Sequence, residues 1–123
     1  MYFDSDKPIW SQLVEEFTRR IIAGQWPAAS KMPSVRDLAA EVGVNPNTVQ
    51  KALTELDRSG LTLSERTAGR FVTDDNQRIQ SARTQAARLF AVTYMNNVQG
   101  VQMGEEEACA LLRAVWEESE NNG

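Results

Sequence analysis

The sequence contains no histidine and a single cysteine, Cys109. Without histidine the chain lacks the commonest general base near neutral pH and the commonest metal ligand. A lone cysteine can neither close an internal disulfide nor contribute to a thiolate zinc cluster. Cys109 lies among apolar helical positions and is expected to be a buried thiol, which suits a reducing, cytoplasmic setting. No glycine loop of the phosphate-binding kind occurs. No apolar run approaches the roughly 20 residues needed to span a bilayer, so no membrane partner is expected. The opening MYFDSDKPIW has no basic stretch leading into an apolar one, so a signal peptide is not expected either. These absences argue against an enzyme: no catalytic residue, metal site or cofactor is expected. The one acidic cluster, Glu105 to Glu107, does not form an acid pair, because adjacent residues on a helix point in different directions.

What is present suits a small folded protein of one or two domains. Hydrophobic residues make up 41% of 123 positions, enough for a core, and charged residues 24%. The net charge of −4 is unevenly placed. Residues 1–73 carry nine basic and nine acidic groups, whereas residues 74–123 carry four and eight. The first part is therefore neutral, and what matters for an anionic partner is where its cations face.

Ser34 to Gly60 is the most informative stretch. Ser34 with Asp37 three residues on has the spacing of a capping box, and Val35, Leu38, Ala39 and Val42 recur at helical steps. Gly43 ends that helix. Asn45 and Pro46 open another as N-cap and first residue, with Val49, Ala52, Leu53 and Leu56 as its buried stripe and Gly60 as its stop. The opposite face shows Asn47, Thr48, Gln50, Lys51 and Thr54, mostly in the first two turns. Amide and hydroxyl side chains there can read base edges in a major groove. Helix, glycine turn and a second helix with a polar start form the helix-turn-helix pattern; a helical hairpin with a solvated face is the plainer alternative.

The flanks complete the pattern. A helix opens at Lys7-Pro8 and runs to Ala23-Gly24, with an apolar stripe of Ile9 or Trp10, Leu13, Val14, Phe17 and Ile21. Gln25 to Pro33 reads as a connector with a short extended piece, and Lys31 in it can meet a phosphate. Leu61 to Ser64 and Arg70 to Thr73 read as two strands around a turn, Glu65 to Gly69, which makes a wing. Arg66 and Arg70 flank that turn within reach of phosphates or a minor groove. A long helix follows from about Asp75 to Val98, broken at Gln99-Gly100, and a last helix starts after Gly104. Glu105 to Glu107 lie at its positive dipole end, and the polar tail ESENNG is expected to fray.

Two such helices cannot enclose a core alone. A homodimer is therefore expected, with Ile79, Ala82, Ala86, Leu89, Phe90, Leu111, Leu112, Val115 and Trp116 at its interface; the alternative is a monomer in which both helices fold back on the N-terminal domain. The expected fold is mainly α with a small β-hairpin. A winged helix-turn-helix spans residues 1–73 and a two-helix dimerisation segment spans 74–123.

The chain resembles the GntR family of bacterial transcription regulators in PIWSQL, in KMPSVRDLAAEVGVNPNTVQKAL and in GLTLSERTAGRFV, together Pro8 to Val72. The two-helix C-terminal segment resembles the YtrA-like subfamily. The resemblance implies a dimer on a palindromic double-stranded DNA operator, usually as a repressor. It implies a DNA contact from Arg36, base reading from the start of the second helix of the motif, and a wing in the minor groove. The DNA-facing set is then Lys31, Ser34, Arg36, Asn45, Asn47, Thr48, Gln50, Lys51, Arg66, Gly69 and Arg70. The chain departs from the family at Pro46 and Gln50, where many relatives carry arginine, and at Thr67, where the wing often has glycine. Two competing readings remain: a winged helix that binds protein, and a regulator sensing a small-molecule effector in a groove lined by Phe90, Tyr94 and Trp116.

Overall fold

The N-terminal tail is held down by a buried side chain. Gln12 accepts a hydrogen bond from the Asp4 amide (2.7 Å) and donates to the carbonyls of Asp4 (2.7 Å) and Lys7 (3.0 Å). In the computed structural model, which describes residues 1–123, Gln12 belongs to the first helix, α1 (Ile9–Ile22). Pro8 is the N-cap of α1. There its fixed φ, −57°, serves an extended residue instead of a helical one. The helix-turn-helix follows as α2 (Val35–Val42) and α3 (Pro46–Ser59). The Ser34 hydroxyl accepts from the Asp37 amide (3.1 Å) and the Asn45 carboxamide oxygen accepts from the Asn47 amide (2.8 Å). Gly43, at φ +70°, makes the turn between them in the left-handed region, which disfavours a side chain.

The wing consists of β1 (Thr62–Glu65) and β2 (Gly69–Val72), antiparallel, with Ser64 opposite Arg70. The connector supplies the expected extended piece: Lys31 bridges Phe71, the Met32 amide donates to the Arg70 carbonyl, and the Val72 amide donates to that of Ser30. Thus β2 is paired on both edges. The inward strand residue is Thr62, 3% exposed, while Leu63 faces out.

Leu13, Phe17, Leu38, Val49, Leu53 and Leu56 form the centre of the core, closed by Leu61, Val72, Trp26 and Met32. The next helix, α4 (Asn76–Gly100), begins at an Asp75 cap that accepts from the Gln77 amide (3.0 Å). Its first turns pack on this same core: Ile79 is buried within it and Ala82 lies against it. Arg83 donates to the Ile22 carbonyl at the end of α1 (2.9 Å). The two compact units of the chain are accordingly Met1–Arg83 and Thr84–Gly123, dividing inside α4. Of the residues expected at the dimer interface, Ile79 is thus buried within one chain and Ala82 is half-buried against the same core.

The second unit holds the rest of α4 and α5 (Glu105–Asn122). The Tyr94 hydroxyl donates to the Ala108 carbonyl (2.6 Å), tying the two helices together. Ala108 alone among the α5 residues is buried. Cys109 is exposed, against the expectation of a buried thiol, because one pair of helices encloses too little to cover it. The tail is helical to Asn122, its glutamates being good helix formers. No helix is long and apolar enough to cross a membrane.

The ion pairs of α1 hold one carboxyl well below its ordinary range. Hydrogen bonds from Arg19, opposed by burial and helped by Arg20, lower the Glu16 pKa from 4.5 to about 2. Arg20, buried over the Phe17 and Trp26 rings, also reaches Glu41 at 2.6 Å and so joins α1 to α2. A carboxyl whose folded pKa lies below its unfolded one stabilises fully above the higher value and loses that effect as pH falls towards the lower. Glu16→Gln should therefore lower stability by about 2 kcal/mol at pH 7, the scale of charged hydrogen bonds. Urea melts should show the gap closing from pH 4.5 down to about 2; a gap of constant size would contradict the assignment.

Candidate nucleic-acid interface

Three pieces of the first unit present polar side chains: the start of α2, the first turns of α3, and the wing. Between the wing and the stretch Lys31–Val35 lies an open cleft of about 660 Å³, which brings together Lys31, Ser34, Arg66, Gly69 and Arg70. Ser34 uses an oxygen lone pair as the α2 cap, which leaves its O–H free to donate. Arg36 follows in the first turn of α2, exposed. Gly69 has φ +104°, and an added Cβ would stand 3.1 Å from Lys31 Cε. The conformation favours glycine there, while the lysine end, being flexible, could shift by the few tenths of an ångström a Cβ would need.

On α3, Asn47 and Gln50 are exposed and Thr48 is half-buried. The Gln50 amide group rests on the Thr54 hydroxyl (3.3 Å), which itself donates to the Gln50 carbonyl (2.9 Å). This long contact leaves the carboxamide able to turn outward. Asn45 commits its oxygen to the helix cap, and only its NH₂ remains to donate. Lys51 sits with Nζ 4.5 Å from the Trp10 ring centroid. A cation over an indole face is attracted to the ring and held in place.

Arg70 is engaged within the domain. Its Nε and Nη2 each lie 3.1 Å from an oxygen of Asp57 on α3, and its side chain is 13% exposed. The guanidinium faces a carboxylate, and Arg70 also lines the cleft. Asp57 and Trp10 are the residues that the sequence reading missed. The signal for Asp57 was available: an acid in the last turn of a helix sits at the unfavourable end of the dipole and calls for a partner.

The whole stretch from residue 10 to residue 72, just over half of the chain, matches the model of the bacterial regulatory proteins of the gntR family. The chain belongs to the GntR family. Among its relatives is the HTH-type transcriptional repressor YtrA of Bacillus subtilis, 35% identical over 58% of this chain and 55% of the repressor. This GntR chain is also similar in structure to a GntR family transcriptional regulator from Listeria monocytogenes. That likeness has a TM-score of 0.83 at 29% identity and covers 91% of this chain and 98% of that one. The DNA-binding domain of AraR in complex with its operator ORR3 matches at a TM-score of 0.53 and 29% identity, over 59% of this chain and 88% of that domain. The first unit is thus a GntR-type winged-helix DNA-binding domain, and the relatives are transcriptional regulators.

Proposed function

We propose that this GntR regulator binds a palindromic operator as a homodimer and represses transcription in the cytoplasm. In each protomer α3 lies in a major groove and the wing reaches the adjacent minor groove. The observation that carries this reading is the exposure of Asn47 and Gln50 at the start of α3, beside a helix cap at Ser34 and a cleft lined by Lys31 and Arg66. Asn47, Thr48 and Gln50 face base edges. Lys31, Ser34, Arg36, Lys51 and Arg66 meet phosphates, which set register without reading sequence. Gly69 allows the wing to turn beside the backbone, and the Asn45 NH₂ lies next to the reading residues. Support for the dimer comes from the second unit, where Leu89, Phe90, Leu111, Leu112, Val115 and Trp116 are all exposed in the single chain. Ala86, half-buried, lies on the same stretch of α4.

Operator titrations at two salt concentrations test the docking. Gln50→Ala should relax discrimination at one base position by about 1–3 kcal/mol, the scale of a bidentate amide–adenine pair. Arg36→Ala should weaken binding to every sequence and reduce the salt slope by about two, one for each protomer. Unchanged operator affinity in both variants would refute this placement of the helices.

A further inference from the structure

We propose that Asp57 is a positioning residue that latches the wing to the recognition helix, and that Arg70 belongs to the latch and not to the phosphate-binding set. The proposal rests on the operator-binding reading above. Asp57 sits in the last turn of α3, where the helix dipole disfavours a negative charge. Its carboxylate nevertheless receives four hydrogen bonds, all from the wing. Thr62 Oγ1 donates to Oδ1 (2.5 Å), Ser64 Oγ to Oδ2 (2.8 Å), and Arg70 Nε and Nη2 to Oδ1 and Oδ2 (3.1 Å each). These donors come from both strands, and Ser64 and Arg70 stand directly opposite each other in the register. One side chain of α3 therefore fixes both strands at once. Burial alone would raise the Asp57 carboxyl, but the bonds from Arg70, Thr62 and Ser64 outweigh it and hold it below the usual carboxylate range.

The other ties of the hairpin lie on the connector side of β2 and at its base, where Leu61 and Val72 enter the core; Asp57 ties it to the recognition helix through side chains of both strands. The hairpin's outward strand residue Leu63 is 42% exposed, and its turn, Arg66 and Thr67, is exposed as well. A two-stranded ribbon is marginal by itself and needs something to pack on. The latch holds the exposed Arg66 at a set distance from the base-reading face of α3, so that helix and wing engage one duplex without first being ordered.

The sign of one substitution separates this role from simple electrostatics. Asp57→Asn keeps the shape and removes a negative charge from a DNA-binding domain. On charge alone it should tighten binding. On the latch reading it should weaken operator binding about five- to tenfold, the scale of re-ordering a few interface side chains. Arg70→Gln should weaken it equally, and the double variant should be no worse than either single one, since all break one network. Amide hydrogen exchange on the free protein gives a readout without DNA. In both variants the amides of β1 and β2 should exchange faster while those of α1 and α3 keep their protection. Tighter or unchanged binding of Asp57→Asn, additive losses in the double variant, or unchanged exchange in the wing would overturn the latch. If the wild-type chain showed no specific operator binding, the functional reading would fail, and the exchange result would still decide the latch.

Discussion

Phe17→Ala should lower the stability of the first unit by about 3–5 kcal/mol, the cost of emptying an aromatic site in a packed core. Phe17 is fully buried, and its ring meets that of Trp26 at 5.4 Å between centroids with a 41° tilt. The Arg20 guanidinium carbon stands 5.7 Å from the Phe17 ring and 5.3 Å from the Trp26 ring. Removing Phe17 therefore leaves a cavity between α1 and α3 and also strips one apolar wall from a buried cation. At about 4–8 °C per kcal/mol for a unit of this size, the melting temperature should fall by roughly 15 °C or more. Leu63→Ala gives the matching control: its side chain is 42% exposed, and such surface changes fall within about 0.5 kcal/mol. Thermal or urea melts of the two variants decide the matter. A fall of less than about 5 °C for Phe17→Ala would mean that the site collapses around the loss.

Much of this core was legible because local signals and packing agree. Caps at Ser34 and Asn45, the proline at Pro46 and glycines at Gly43 and Gly60 bracket two helices whose stripes then fall on one core. The departures occur where tertiary partners override the local pattern. Leu63 alternates correctly for a buried strand residue, yet Thr62 is the one turned inward, because its hydroxyl has Asp57 to reach. Ile79 and Ala82 continue the stripe of α4 without a break, so nothing in the periodicity says that the first turns of the helix serve a different core from the rest. A repeat of three and four residues identifies an apolar face but not what covers it.

The same limit applies to the candidate interface. Arg70 in a strand beside a glycine turn has the composition of a phosphate contact, and spacing alone cannot reveal a carboxylate thirteen residues earlier that engages it with two bonds. Asn45 shows the converse case. One side chain can cap a helix with its oxygen and still donate from its nitrogen, so a structural role and a binding role are not exclusive.

Trp116→Glu should abolish the proposed homodimer and lower operator affinity by about 10²–10⁴, the avidity lost when two linked half-site contacts become one. In the single chain Trp116 is 64% exposed, and Leu112 and Val115, four and one residues before it, are 45% and 51% exposed. Helical spacing places these three along one face of α5, a helix that buries only Ala108 within its own chain. Phe90 and Leu89 on α4 are 75% and 66% exposed. Aromatic side chains of this size each remove some 150–250 Å² from water when covered, so a second copy of the same surface offers a large gain. Glutamate at position 116 would set a charge against its symmetry mate in that surface, while disturbing little inside the winged domain. Sedimentation should give twice the 13.8 kDa chain mass for the wild type and the single mass for the variant. Binding of the variant to an isolated half-site should stay near the wild-type level, because the reading residues on α3 are unchanged. A variant that remains dimeric would move the interface elsewhere. A wild type that is monomeric at tens of micromolar and still binds its operator tightly would remove the need for the second copy.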